Sequence, residues 1–190
     1  MIILDTLRYA VSFLSMILYF AHYFELRRRL SQHSRRDVFT GLYNKIFFSH
    51  AVQKWIDRGD SFYLFILDID NFKSINDTYG HMIGDEVILH LAHSLEEICP
   101  IGTMISRFGG DEFVFAQRNT NEEKFAPWLN QLQDLGYQTT DGSSIKFTVS
   151  IGACESSNFT KYEKLYHKAD ECLYISKKLG KGRYTLHSSI

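Results

Sequence analysis

From Leu7 to Phe24 the chain is apolar on every side of a helix (LRYAVSFLSMILYFAHYF), with Arg8 near one end and His22 near the other. A run of that length is at the short edge of what spans a bilayer. Arg27, Arg28 and Arg29, just beyond it, would leave its C-terminal side in the cytoplasm. No small-residue cleavage site follows, which speaks against a cleaved signal peptide. The same residues admit a second reading, because Ile3, Leu7, Ala10, Leu14, Ile17, Ala21 and Phe24 follow the four- and three-residue steps of a dimerising seam. Residues 25–36 (ELRRRLSQHSRR) have almost no apolar face and read as a solvated helical linker. The pattern therefore predicts a hydrophobic helix and basic linker over 1–36 and one globular domain over 37–190.

Within that domain the period changes from segment to segment. Phe47, Phe48, Ala51, Val52 and Trp55 form one helical stripe over 45–56. Residues 62–69 (FYLFILDI) are a continuous apolar run ending in carboxylates, the pattern of a central strand buried on both faces. A short polar helix holding Phe72 and Ile75 is stopped by Gly80, and a longer one over 84–98 buries Val87, Ile88, Leu91, Leu95 and Ile98. Runs 103–108 and 111–116 are separated by Gly109 and Gly110, a strong hairpin signal, since the turns that match strand twist need positive φ. A helix over 124–133 near Pro127, a strand over 146–153, a helix over 161–179 ended by Gly180 and a last strand over 183–186 complete the domain.

The chain has 190 residues, 45% of them hydrophobic and 23% charged, which excludes collagen-like and broadly disordered classes. Its net charge of −1 conceals an asymmetry: six Lys/Arg against two Asp/Glu up to residue 36, and an acidic remainder. An acidic body lacks the basic face that a nucleic acid polymer requires. Cys99, Cys154 and Cys172 are odd in number and widely spaced, and read as reduced, mostly buried thiols.

Candidate chemistry lies where acids meet strand ends. Asp68 and Asp70 stand at the exit of the buried strand, and Asp111 and Glu112 follow the Gly-Gly pair. Hard divalent cations take oxygen ligands, and Mg²⁺ needs only one or two protein carboxylates. Strand alternation puts Asp68 and Asp70 on one face and turns Asp111 and Glu112 opposite ways, so spacing selects Asp68 plus one of the latter pair. The bland reading is a turn or capping device. Gly109-Gly110 could let a triphosphate approach the main chain, or be a plain turn. Lys73 could neutralise phosphate, and Asn76 and Asp85 could read a base edge, although Asp85 is equally well placed as an N-cap. His90 and His93, with Glu86 and Glu97, read as the solvated side of their helix. Gly180-Lys181-Gly182 reads as a helix stop.

The string RFGGDEF (Arg107 to Phe113) resembles the signature of the GGDEF family of diguanylate cyclases. DVFTGLYNK (Asp37 to Lys45) is similar to the family's opening motif, with Phe39 for Leu and Lys45 for Arg, and DIDNFKSINDTYGHMIGD (Asp68 to Asp85) is nearly its core consensus. TVSIGA (Thr148 to Ala153) and ADECLYISKKLGK (Ala169 to Lys181) resemble the closing motifs. The resemblance implies an α/β (α+β) palm-like domain: a mixed, largely antiparallel sheet covered by helices, with a central Gly-Gly hairpin, preceded here by a long N-terminal helix. It also implies condensation of two GTP into cyclic di-GMP and two pyrophosphates by a homodimer, with Mg²⁺, or alternatively Mn²⁺, as cofactor. Asp68 and Asp111 would bind the metal, assisted by the Ile69 carbonyl and Glu112, and Asp111, Glu112 and Lys73 would form the catalytic set. Asn76 and Asp85 match guanine-recognition positions. Lys73, Gly109, Gly110, Lys177 and Lys181 match phosphate contacts, Lys181 standing where Arg is more common.

One departure stands out. Many relatives carry R-x-x-D upstream of the signature as an inhibitory product site, where this chain has Pro100-Ile101-Gly102-Thr103. Two other readings compete with an active cyclase: a catalytically weak module responding to GTP or cyclic di-GMP through protein contacts, and a membrane-tethered adaptor. The expected location is the bacterial inner membrane with the domain in the cytoplasm, or else the cytoplasm itself. No sensory domain fits within 36 residues, which admits a remnant of a longer receptor.

Overall fold

The computed structural model describes residues 12–24, 35–139 and 142–187. The chain divides into two compact units, Met1–Arg35 and Arg36–Ile190. In the first, residues 12–24 are helical and exposed throughout, Phe13 and Phe24 included. Among the described residues no helix is long and apolar enough to cross a membrane. The expected span over 7–24 is thus not supported, and the long N-terminal helix is described only over 12–24. Residues 7–11 of that segment, and the linker as far as residue 34 with Arg27–Arg29, lie outside the described residues.

The second unit is α+β. Its elements are β1 (Tyr43–Asn44), α1 (Lys45–Asp57), β2 (Phe62–Ile69), α2 (Phe72–Tyr79), α3 (His81–Ile98), β3 (Met104–Gly109) and β4 (Glu112–Arg118), then α4 (Glu122–Leu132), β5 (Asp134–Gln138), β6 (Ser144–Glu155), α5 (Tyr162–Lys178) and β7 (Tyr184–His187). The sheet runs β1-β3-β4-β2-β6-β5, with β7 beside β6. Only β1 with β3 and β6 with β7 pair parallel, so the sheet is mixed and largely antiparallel, as expected.

Strand β2 lies between β4 and β6 and is covered on both faces. Phe62, Leu64 and Ile66 pack with Phe48, Val52 and Trp55 of α1 and Leu165, Ala169 and Leu173 of α5. Phe65, Leu67 and Ile69 pack with Val87, Leu91 and Leu95 of α3 and Phe125 and Leu129 of α4. A strand with a core on each side needs apolar residues without alternation, which accounts for the run. Helix α5 comes so close to β6 that a Cβ on Gly152 would sit 2.0 Å from the Ala169 carbonyl oxygen.

Local chemistry sets the helix ends. The Asn44 side chain accepts from the Phe47 N–H at 2.9 Å, capping α1, and Asn121 does the same for α4 at 3.2 Å from Lys124 N–H. Helix α3 starts at His81, earlier than expected, because Gly80 (φ 86°) both ends α2 and opens α3. Asp85 therefore does not cap the helix, but lies inside it and exposed. Strands β1 and β5 were not expected, and β6 is longer than 146–153. Strand β5 covers part of the face read as solvated: Tyr137 hydroxyl donates to Glu86 at 2.7 Å and its ring lies 5.5 Å from His90, while His93 is exposed.

Candidate active site

The acids sit where β2 ends and β4 begins, beside the middle of β6. The ladder pairs Asp68 with Glu112 on β4 and with Ser150 on β6. Directly opposed residues share a face, and Ile66, the next residue on that face of β2, packs against α5. Glu112 therefore stands on the same sheet face as Asp68, while Asp111 lies near enough for its charge to push the Asp68 carboxyl up.

Asp111 reaches the same neighbourhood by another route. The hairpin register shifts between Arg107 and Gly109, which pairs with Glu112, so the two turn residues are Gly110 and Asp111 rather than Gly109 and Gly110. Phe108 is the extra residue of a bulge. Gly110 takes φ 51°, the positive value that the first central position of such a turn demands. The Arg107 guanidinium braces the turn by donating to the Gly110 carbonyl at 2.9 and 3.0 Å. It also pairs with Asp37 at 3.4 Å and lies 4.8 Å from the centre of the Phe39 ring, which ties the opening motif to the signature. Asp37 is held below the usual carboxylate value: burial works against this, but Thr40 hydrogen bonds and Arg107 outweigh it.

Helix α5 supplies a partner to each facing acid. Lys177 Nζ lies 2.7 Å from Asp68 Oδ1, and the Tyr166 hydroxyl donates to Glu112 Oε1. Burial pushes Asp68 above its ordinary value; Lys177 pulls it down, and the Asp111 and Asp70 charges push with burial. The result is an acidic cluster short of positive charge. Asp70, two residues on, is a different object. It accepts from Thr148 Oγ1 and Ser150 Oγ, each at 2.7 Å, and from the Gly182 N–H at 2.9 Å. Its lone pairs are committed to holding the C-terminal segment against β2 and β6, which is the structural reading of the D-x-D pair.

The remaining expected residues are spread around this edge. The Ile69 side chain is buried in the core, leaving only its carbonyl as a donor. Lys73 is exposed on α2, and Asp85 is exposed on α3. Asn76 packs where α2 meets α3, and a Cβ on Gly84 would lie 1.8 Å from its Oδ1, so Gly84 makes room for that amide. Gly109 and Gly110 have open space on the side where a Cβ would be. Lys181 Nζ donates to Asn71 Oδ1 at 2.6 Å. Among the described residues no three His, Cys, Asp or Glu side chains are grouped so as to hold a metal ion.

The donor set nevertheless fits a hard divalent cation, since Asp68, Asp111, Glu112 and the Ile69 carbonyl offer oxygen alone. A cationic group, the Lys177 ammonium, already rests on Asp68. A cleft of about 380 Å³ between α2 and β6, lined by Asp70, Asn71, Ser74, Thr78 and Thr148, includes none of these acids except Asp70. Asp68, Asp111 and Glu112 therefore lie outside this cleft. Pro100–Thr103, in place of the R-x-x-D motif, lines a separate cleft of about 290 Å³ with Leu42 and Tyr43. All three cysteines are free and buried, and burial pushes Cys99 and Cys154 up to about 12.

Sequence reasoning missed Tyr166 and the bracing role of Arg107. Tyr166 had a signal: it precedes Lys177 by eleven positions, three helical turns, and so shares its helix face.

The family model described as "Diguanylate cyclase, GGDEF domain" matches residues 34–183. Diguanylate cyclase DosC of Escherichia coli (strain K12) is 31% identical over 171 residues, covering 85% of this chain and 37% of DosC. The chain therefore spans well under half of that relative. Diguanylate cyclase SiaD of Pseudomonas aeruginosa, solved with its activator SiaC, superposes with a TM-score of 0.75 at 27% identity, covering 90% of this chain and 69% of that one. The GGDEF domain of DgcB from Caulobacter crescentus, solved with c-di-GMP, gives 0.70 at 28% identity, covering 82% and 94%.

Proposed function

The chain belongs to the GGDEF diguanylate cyclase domain family, and from that premise we propose that it condenses two GTP into cyclic di-GMP, releasing two pyrophosphates. The observation that carries the proposal is the acidic edge: Asp68 facing Glu112 across two strands, with Asp111 at the adjoining turn. Mg²⁺, or alternatively Mn²⁺, held there by Asp68, Asp111, Glu112 and the Ile69 carbonyl, would supply Lewis acidity and an activated hydroxyl.

The chain's own residues do the rest. Asn76 and Asp85 take the guanine edge. The open main chain at Gly109 and Gly110 admits the triphosphate, and Lys73, Lys177 and Lys181 neutralise it. The 3′-hydroxyl oxygen of one GTP bonds to the α-phosphorus of the other; the bond to the bridging oxygen breaks, pyrophosphate leaves and the hydroxyl proton passes to water. A second such step closes the ring. One domain holds one nucleotide, so two copies face each other.

The apolar run over 7–24 suits a dimerising helix of a cytoplasmic protein; the competing reading is an inner-membrane anchor, for which no described helix is long and apolar enough. Sedimentation of a lysate into membrane and soluble fractions decides between them. The deciding experiment for function incubates the full chain with GTP and Mg²⁺, with ATP as control, and assays cyclic di-GMP and pyrophosphate. Formation of both from GTP supports the proposal, and their absence overturns it. GTP binding without turnover would mark the competing reading, a signalling module, which the engaged state of Asp68 and Glu112 favours.

A further inference from the structure

We propose that Tyr166 is a positioning residue for Glu112, acting through its hydroxyl; this rests on the activity proposed above. The Tyr166 ring is clamped. It stacks on Phe108 with centroids 5.7 Å apart and planes 7° from parallel, and the Tyr162 ring lies 5.9 Å away. Held in that clamp, the Tyr166 hydroxyl donates to Glu112 Oε1.

A fixed donor on Oε1 selects one orientation for an otherwise flexible side chain and leaves Oε2 available to a cation. The constraint matters at this position. Glu112 faces Asp68 across the ladder, and Asp111 precedes it, so electrostatic repulsion alone would swing its carboxylate away from the other two acids. Carboxylates that ligate metals are themselves hydrogen-bonded, and loss of such a support typically weakens metal binding ten- to a hundredfold.

Tyr162, one turn earlier on the same helix, supplies the contrast. Its hydroxyl is buried with no hydrogen-bond partner, so that side chain is held by packing, whereas the Tyr166 hydroxyl is spent on an acid of the site. The stack on Phe108, the bulge residue beside the Gly110-Asp111 turn, carries the position of that turn to the same hydroxyl. Turn, helix and Glu112 are thus joined by direct contacts.

The test compares the full chain with Tyr166→Phe, which keeps the ring and deletes the hydroxyl. Mn²⁺ binding is read by electron paramagnetic resonance, with a GTP analogue carrying methylene between its α- and β-phosphorus atoms so that no turnover occurs. The expected result is an approximately tenfold weaker Kd for Mn²⁺ with an unchanged Tm and an unchanged KM for GTP at saturating metal. In a Glu112→Gln background the same substitution should change the Mn²⁺ Kd less than about twofold, since the side chain it orients no longer carries a carboxylate to ligate the metal. Equal Mn²⁺ affinities for the unaltered and Tyr166→Phe proteins would overturn the proposal, as would a full loss persisting in the Glu112→Gln background. Failure of the unaltered protein to make cyclic di-GMP would overturn the activity instead, and leaves the Mn²⁺ comparison readable.

Discussion

Asp68 and Asp70 follow each other along one strand face, yet their surroundings differ in kind. Asp70 is buried and receives three hydrogen bonds from stiff elements: two hydroxyls of β6 and a main-chain N–H. The Asp68 side chain is 21% exposed and is met by the tip of one long lysine. Removing a partner from Asp70 means breaking the fold around it, whereas removing Lys177 from Asp68 means rotating a side chain. The number and stiffness of the donors, not the residue type, separate a carboxylate that holds structure from one that can exchange its cation.

The comparison can be broken most forcefully by exchanging roles. Asp68→Asn should lower cyclic di-GMP formation about a thousandfold, as loss of roughly 4 kcal/mol of transition-state stabilisation implies, while the fold survives. Stability should even favour the variant. Asp68 titrates above its ordinary value of 3.8 in the fold, so its contribution is fully present below that value and lost as the pH rises through the raised one. Urea unfolding at neutral pH should therefore find Asp68→Asn no less stable than the parent, with the difference closing in acid; a lowered midpoint at neutral pH contradicts this.

Asp70→Ala should do the reverse. It strands two hydroxyls and an N–H, at about 1–3 kcal/mol for each group that stays unsatisfied, and differential scanning calorimetry should show a much lower Tm. A variant that keeps its Tm but loses turnover would put Asp70 in the site. A subtler probe sharpens the Asp68 side. Lys177→Met should tighten Mn²⁺ binding in the absence of nucleotide, because the competing ammonium is gone, and raise the KM for GTP about tenfold through the loss of one charge-assisted phosphate contact. Looser Mn²⁺ binding would mean that Lys177 supports the metal position rather than occupying it. The smallest effect is expected at Pro100–Thr103, which offers no R-x-x-D pair: added cyclic di-GMP should leave initial rates unchanged, and saturable inhibition would reveal a product site elsewhere.

Much of this is legible in the sequence. The unalternating run of β2 required a core on both faces, and acids at its exit marked the site. What stayed hidden depended on register and on neighbours distant in sequence. Which acid stands opposite Asp68 follows from the register of β4 on β2, and which residues make the turn follows from a bulge at Phe108, which no local preference announces, since a Gly-Gly pair fits a turn placed at either position. Strand β5 (DLGYQ) offers only Leu135 and Tyr137 around a glycine, too little alternation to declare a strand, and its absence from the expected fold made the His90 side of α3 look solvated. Asp85 looked like a cap because its type suits one, but Gly80 had already started the helix. Tyr166 lay within reach of helical periodicity, but only a search for partners of Glu112 would have singled it out.

The glycine contact between β6 and α5 has a consequence in time as well as in space. With the Ala169 carbonyl oxygen 2.0 Å from where a Gly152 Cβ would lie, strand and helix cannot slide past each other without a gap opening in the middle of the core. Local fluctuations stop at such a seam, so its amides should exchange with deuterated water only through opening of the entire domain. Tyr166 and Lys177 flank that seam on α5, one on each side, and their backbone inherits its slow clock. The groups that engage Glu112 and Asp68 thus move rapidly only beyond their Cα atoms, which confines the fast part of any cation exchange to side-chain rotation.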